Sequence, residues 1–383
     1  MPLAITELIW SREGLDGAVL VDWGRVACRR PDLVAAAGRN VLLFTSSDPG
    51  FPLSATVEAE GMVLSLAAGL PVLEQDNIVV GLADRVAVYG WRQRTLVRLG
   101  ETEPEPDARF VDLALTDIDG DGREEIIAAS GGKEAVYFYR LTGEAAELRL
   151  ELLAIRLLPG PAQKVVVLGR EEGRLPVITV AYRNDGSSGL LTLEYTEMGF
   201  QEGPALESLP ARVTSAAGGD LRPGPGEEPV WGGEDGAVRI MEIDRQFVLA
   251  VTSDNLGSSA PALTAGRLAG SGANTLIAGT PEGFLFGFEA PVEKSAPDWV
   301  VSPGRPVNDL AVSGEGLLGL GTADGAVQVW LLPGGGGAVH TVQPGETLSS
   351  IAGLYKTTVA AIAGLNGIAD TDLIYPGQKL LIP

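Results

Sequence analysis

The chain has 383 residues, with 50 Asp and Glu against 28 Lys and Arg and a net charge of −22 at pH 7. A surface of that sign repels nucleic-acid phosphates and anionic lipid, so no nucleic acid is expected among its partners. One cysteine, Cys28, and one histidine, His340, exclude an internal disulfide and remove His-ligated zinc, Ser–His–Asp triads and Cys–His nucleophiles from the first 339 residues.

At the N-terminus, MPLAITELIWSREGLDG has no basic leading region and meets Glu7 before any cation, so it does not read as a Sec signal. Ala4 to Trp10 alternates like a strand. From Asp32 onward one unit recurs: an apolar strand, a tight turn and a second alternating strand. The instances are DLVAAAGRNVLLF (32–44), NIVVGLADRVAVY (77–89), EIIAASGGKEAVYFY (125–139), VITVAYRNDGSSGLLTLEY (177–195), PVWGGEDGAVRIMEI (229–243), LIAGTPEGFLFGF (276–288) and LGLGTADGAVQVWLL (318–332). With Val41, Val86, Val136, Leu191, Val238, Leu285 and Val327 as anchors, the gaps are 45, 50, 55, 47, 47 and 42 residues. Most units are flanked by a preceding strand, such as 111–117 or 261–267, and a following one, such as 148–154 or 247–253. Periods near 45 with four strands each predict an all-β, seven-bladed β-propeller over residues 1–332. Asp235-Gly236 and Asp324-Gly325, between apolar runs, predict type I′ hairpin turns.

The seventh unit lacks its last strand, because Pro333 and four glycines follow Leu332 directly. The segment 4–10 is expected to complete that blade and so to remove two exposed sheet edges.

The loop Asp117-Ile118-Asp119-Gly120-Asp121-Gly122-Arg123-Glu124-Glu125 places carboxylates at positions 1, 3, 5 and 9, with glycine at 6. Asp117, Asp119, Asp121 and Glu125, with the Arg123 carbonyl, can wrap one hard cation, and Gly122 permits the sharp turn. An EF-hand needs a bidentate Glu at position 12, which here is Ala128, and flanking helices in place of strands. The loop resembles the calcium loop of FG-GAP/VCBS-type propellers, which implies one bound Ca2+ that braces blade three and takes no part in catalysis. Glu125 stands where that pattern more often has Asp. The corresponding segments 218–229 and 266–274 have lost most or all of these carboxylates.

Residues 333–339 are Pro/Gly-rich and read as a flexible linker. The last 44 residues read as a small α+β unit of βααβ order. A strand from His340 to Gln343 meets the Pro344-Gly345 turn, and Leu348, Ile351, Ala352 and Tyr355 then form one face of a helix opened by Thr347. A second helix carries Val359, Ile362 and Ala363 and stops at Asn366-Gly367. Tyr375-Pro376-Gly377 turns into a closing strand over Lys379 to Ile382. Through TVQPGETLSSIA, LNGI and LIYPGQKLLIP the segment resembles a LysM module along its whole length. That resemblance implies a peptidoglycan or other GlcNAc-containing glycan as ligand, held between Gly345, Glu346, Thr347 and Leu348 on one side and Ile368, Ile374, Tyr375 and Pro376 on the other. Glu346 replaces a more usual Asp, and Lys356 a usual Gly.

The expected function is a non-enzymatic, glycan-binding scaffold or adhesion protein of the cell wall, spore surface or extracellular space. In this reading the module is the anchor, and the propeller is a platform for a protein partner or for self-association. Two other readings stay open: a structural subunit of a spore-coat, filament or phage-tail-like assembly, and a propeller-based wall hydrolase or lyase. The latter needs a carboxylate pair about 5–9.5 Å apart, which no motif singles out. No run approaches the ~18 apolar residues of a membrane span.

Overall fold

The seven repeats form seven four-stranded antiparallel sheets in the computed structural model of the chain. It describes residues 7–47, 50–72, 75–143, 148–170, 174–257, 262–332, 338–355, 358–359, 362–363, 368, 370–371 and 373–382. Blade one runs Val19–Gly24, Asp32–Ala37, Asn40–Phe44 and Leu53–Glu58; blade three runs Phe110–Thr116, Glu125–Ser130, Ala135–Thr142 and Arg149–Leu157. The other blades repeat this up-and-down order.

The sequence pattern follows from position in the blade. A second strand is covered on both faces by neighbouring blades, so Asp32–Ala37 and Glu125–Ser130 are buried at every residue and read as continuous apolar runs. A fourth strand lies at the rim and is largely exposed, as in Leu53–Glu58. The core is divided accordingly. Seven apolar clusters each join two adjacent blades, for example Ile127, Val136 and Phe138 of blade three with Ile178, Val180 and Phe200 of blade four.

The Asp-Gly turns differ from the type I′ expectation. Gly236 (φ 76°), Gly325 (φ 84°) and Gly283 (φ 86°) are left-handed, while Asp235 and Asp324 are not. Gly236 N–H donates to the Gly233 carbonyl at 3.0 Å, and Gly283 N–H to that of Thr280 at 3.0 Å. These are three-residue hairpin loops, a type I turn followed by a left-handed glycine, in which Asp needs no strained backbone.

Blade seven takes its fourth strand from the start of the chain. Glu7–Arg12 pairs antiparallel with Val327–Leu331, with an irregularity between Leu8 and Trp10. The strand runs on to Arg12, past the expected end at Trp10, and residues 4–6 lie outside the described residues. Trp10 explains where it seats: its ring lies 5.1 Å from Phe44 and 6.0 Å from Phe51, so it packs on blade one as well as blade seven. Leu15 N–H donates to the Gly325 carbonyl at 2.9 Å, and Trp23 Nε1 to that of Ala311 at 3.0 Å. A Cβ at Gly321 would lie 2.2 Å from the Val19 carbonyl oxygen, so only glycine lets the two ends of the ring approach this closely.

The first strands line a central cavity of about 300 Å3. Three aspartates in it each hold the next blade by a backbone N–H: Asp309 accepts from Val21 at 2.9 Å, Asp22 from Ala68 at 2.8 Å and Asp112 from Val165 at 2.8 Å. Lys164 Nζ pairs with Asp112 at 2.9 Å. Enclosure by the blades removes water from the carboxylates and pushes Asp22 up to about 7 and Asp309 up to about 6.

The small unit at the C-terminus pairs Ala338–Thr341 with Lys379–Ile382 and packs the helix Leu348–Tyr355 on them. Its first strand starts at Ala338, earlier than the expected His340, so the linker shortens to 333–337, which lies outside the described residues. Of the second helix, Thr358, Val359, Ile362 and Ala363 are described, with an Ile362 N–H to Thr358 carbonyl bond at 3.1 Å; Asn366-Gly367 lies outside.

Deleting residues 1–12 uncovers the Val327–Leu331 edge and the face on which Trp10 packs, and is expected to cause aggregation on purification. Trp10→Ala, which keeps the strand, should cost about 2 kcal/mol in urea unfolding, below the fully buried range because the indole is half-exposed. A deletion variant as soluble and as stable as the parent would show that the seam is dispensable.

Because the folded pKa of Asp22 lies above its ordinary 3.8, its favourable contribution is full below that value and is lost as pH rises through about 7. Asp22→Asn should therefore flatten the decline in melting temperature between about pH 4 and pH 7, measured by calorimetry. A slope identical to the parent's would remove Asp22 as its source.

Candidate functional site

The expected site residues fall in two polar regions, the turn pair of the C-terminal unit and the acidic loop of blade three. In the C-terminal unit, Gln343-Pro344-Gly345-Glu346 closes with a Glu346 N–H to Gln343 carbonyl bond of 3.1 Å, and Tyr375-Pro376-Gly377-Gln378 with a Gln378 N–H to Tyr375 carbonyl bond of 2.9 Å. Gly345 and Gly377 both have φ of 88°. Proline then left-handed glycine is the type II pattern. Val342 clamps the turns together, since its carbonyl accepts from Gly377 N–H at 2.8 Å and its N–H donates to the Gln378 carbonyl at 2.9 Å.

Around these turns the expected glycan residues fall into three groups. Gly345, Thr347, Tyr375 and Pro376 are exposed, and Thr347 caps the helix by accepting from Ser350 N–H at 3.2 Å. Ile368 and Ile374 are half-buried and rest on the apolar cluster, a ledge suited to an acetamido methyl group. Leu348 is 1% exposed, so its side chain belongs to the core and only its backbone can face a ligand.

Glu346 is turned inward. Its carboxylate accepts from Gln343 N–H at 2.7 Å and meets His340 Nε2 at 2.6 Å, while His340 Nδ1 lies 3.2 Å from the Tyr355 hydroxyl. The Gln343 N–H and the His340 bond hold Glu346 below the usual carboxylate range. The extra methylene relative to Asp thus braces the first turn through the one histidine of the chain, a role that spacing along the sequence did not reveal.

The acidic loop of blade three brings three of its four expected carboxylates together, and Asp121 falls outside that group. Ligand oxygens of Asp117, Asp119 and Glu125 all lie within 4.8 Å of one another. Asp117 accepts from Gly120 N–H at 2.7 Å and Gly122 N–H at 2.8 Å; Asp121 accepts from Arg123 N–H at 2.8 Å. Glu125 is fully buried and accepts from Ile118 N–H at 3.1 Å. Arg140, which sequence reasoning missed, reaches in from the third strand. Its Nε meets Glu125 at 2.7 Å and its Nη2 meets Asp119. Four carboxylates against one guanidinium still leave negative charge for a cation, and Asp119 and Glu125 are the groups that Arg140 and a metal would share.

Blade five shows the same frame with the charges exchanged. Glu228 accepts from Leu221 N–H at 2.8 Å, as Glu125 does from Ile118, and Arg222 at loop position 3 pairs with Glu242 at 3.2 Å. Arg140 lies one residue past Tyr139, the partner of Ile126, and Glu242 two past Ile240, the partner of Val230. Both therefore stand beside the first residue of their second strand. An ion pair of either polarity ties the loop to the blade.

Comparison with known proteins agrees with this division of the chain. Residues 340–383 match the family described as "LysM domain". The C-terminal unit is a LysM domain. It implies binding of a peptidoglycan- or chitin-type glycan, and a cell-wall or extracellular setting. Over 48 residues the chain is 52% identical to N-acetylmuramoyl-L-alanine amidase sle1 of Staphylococcus aureus strains USA300 and NCTC 8325, which covers 12% of this chain and 14% of the amidase. The propeller is similar in fold to a chain in the crystal structure of BBS1N in complex with ARL6DN (TM-score 0.61, 14% identity, 86% of this chain and 96% of that one). It is also similar to a chain of the mitotic checkpoint complex (TM-score 0.63, 14% identity, 87% and 97%). At that identity the likeness is one of fold alone. Among the described residues no helix is long and apolar enough to cross a membrane.

Proposed function

We propose that this protein is a non-enzymatic scaffold or adhesion protein that the LysM domain anchors on GlcNAc-containing polymer while the propeller presents an interaction platform. The observation that carries the reading is the clamped pair of type II turns, with Gly345, Thr347 and Tyr375 exposed beside the Ile368 and Ile374 ledge. The channel carboxylates of the propeller, the nearest thing to a catalytic set, have a structural use in holding adjacent blades. That use supports the binding reading over a propeller-based hydrolase.

The full chain should sediment with purified peptidoglycan, and residues 1–332 should not. Thr347→Trp, at an exposed position beside the first turn, should abolish sedimentation and leave the propeller's unfolding transition unchanged. Short oligomers should bind weakly, since a shallow surface buries little of each sugar. Sedimentation of the isolated propeller as efficient as that of the full chain would move the anchor out of the LysM domain.

The blade-three loop, in the same reading, takes one Ca2+ on Asp117, Asp119, Asp121, Glu125 and the Arg123 carbonyl, in competition with Arg140. Saturating calcium should raise stability by ~2.7 kcal/mol at a hundredfold excess over the dissociation constant. Asp119→Ala should remove that gain, and Arg140→Gln should enlarge it. Melting curves of the parent that coincide with and without chelator would eliminate the metal and leave the Arg140 ion pairs as the brace.

A further inference from the structure

The rim strand of blade three, Arg149–Leu157, is unlike the other fourth strands. Leu152 (47%), Leu153 (39%), Ile155 (42%) and Leu157 (77%) are exposed along it, whereas Thr95–Glu101 and Gly199–Leu206 carry no exposed large apolar residue, Leu53–Glu58 and Trp299–Val301 carry one each, and Glu7–Arg12 and Phe247–Thr252 carry two each. It is the last strand of its sheet, and among the described residues no further strand pairs with its outer row of backbone groups. A long apolar edge of this kind is a template for another strand.

The order of residues says which strand fits. Read from each end toward the middle, Leu150 matches Leu157, Glu151 matches Arg156, Leu152 matches Ile155 and Leu153 matches Ala154. An antiparallel pairing of the segment with itself about that midpoint sets each Glu151 against an Arg156 and apolar residues against apolar ones. Glu151 is exposed and forms no ion pair among the described residues, and Arg156 is half-buried, its guanidinium over the Phe200 ring with Nη2 donating to the Phe200 carbonyl at 3.2 Å.

Pleat geometry is the stricter test. Residues paired across an antiparallel ladder share a face, yet residues 150 and 157 are seven apart and in a regular strand would face opposite ways. The strand has a bulge that resolves this. Its partners change from Leu152↔Tyr139 to Ala154↔Phe138, leaving Leu153 as the extra residue. Leu150, Leu152, Ile155 and Leu157 consequently lie opposite Leu141, Tyr139, Tyr137 and Ala135, all on the blade-two side. Ala154 and Arg156 lie opposite Phe138 and Val136 on the blade-four side, where Glu151 also falls. The pairs 150/157, 151/156 and 152/155 of the self-match each share a face, and they do so only because of the bulge.

We infer that two copies of this chain associate through Arg149–Leu157, the two blade-three sheets joining edge to edge about a two-fold axis beside Leu153 and Ala154. One pair of rim strands is a small contact, so the dimer is weak and concentration-dependent. It carries two LysM domains on one particle, which raises avidity for a polymer. That consequence rests on the glycan reading; the dimer does not.

Sedimentation velocity of the full chain over a concentration series tests the contact. A monomer–dimer equilibrium is expected. Glu151→Arg, which opposes Arg156 with a like charge, and Ile155→Lys, which opposes Leu152 with an ammonium group, should each raise the dissociation constant about tenfold or more. Both change exposed side chains, and an unaltered melting curve confirms the fold. The double exchange E151R/R156E should restore dimerisation, which a merely structural role for either residue would not produce. A chain that stays monomeric throughout, or a dimer that tolerates both single variants, overturns the proposal, and neither result bears on peptidoglycan binding.

Discussion

Closure of the ring is the constraint on which the propeller depends. Each blade is a thin sheet whose apolar residues face the neighbouring blades, and no blade has a core of its own. A gap anywhere would leave two apolar faces in water. The chain meets this by pairing its first described strand with its last propeller strand and by wedging Trp10 between blades seven and one. The seam is held by contacts between residues nearly 300 positions apart, such as Val21 with Asp309 at a separation of 288. Bringing such distant segments together costs loop-closure entropy, which the burial of two complete interfaces offsets.

Polar groups inside the ring serve the same end at a smaller scale. Aspartates in the channel accept backbone N–H groups from the adjacent blade, which satisfies donors that the first strand leaves over and fixes blade-to-blade spacing. At the loops, a buried carboxylate at the head of the second strand accepts the N–H of a buried apolar residue, Ile118 in blade three and Leu221 in blade five. The ion pair beside it survives exchange of sign between the two blades. Such a pair depends on complementarity and on neither residue alone, which is how the blade-five loop dispenses with the carboxylates of the acidic one.

The LysM domain is organised independently. Its apolar cluster contains only its own residues, Val342, Leu348, Ile351, Ala352, Ile362, Ala363, Leu380 and Ile382. Its two turns are stitched to each other through Val342 and braced by Glu346 and His340. A rigid turn pair suits recognition by backbone groups, because preorganised donors and acceptors lose little freedom on binding. The protein therefore divides its work between a self-contained binding domain and a large ring with much free rim.

Local rules in the sequence determined the repeat count, the buried second and third strands, the helix from Leu348 to Tyr355 and the spacing of the acidic loop. Each arises from periodicity or turn chemistry within a few residues, as with Leu348, Ile351 and Ala352 on one helical face. Boundaries set by pairing partners were less legible. The first strand ran on to Arg12 because Ser11 and Arg12 pair with Gln328 and Val327, and the LysM strand took in Ala338 because Ile382 lies opposite it. The roles of Arg140, His340 and Asp22 could not be read at all, since their partners are 21, 6 and 46 positions away and no period links them. The face on which each rim residue lies was likewise hidden, because one bulged residue at Leu153 inverts the alternation that follows it. Propensity and pattern act along the chain, whereas charge pairing, side-chain facing and ring closure act across it, and only the tertiary structure brings those groups together.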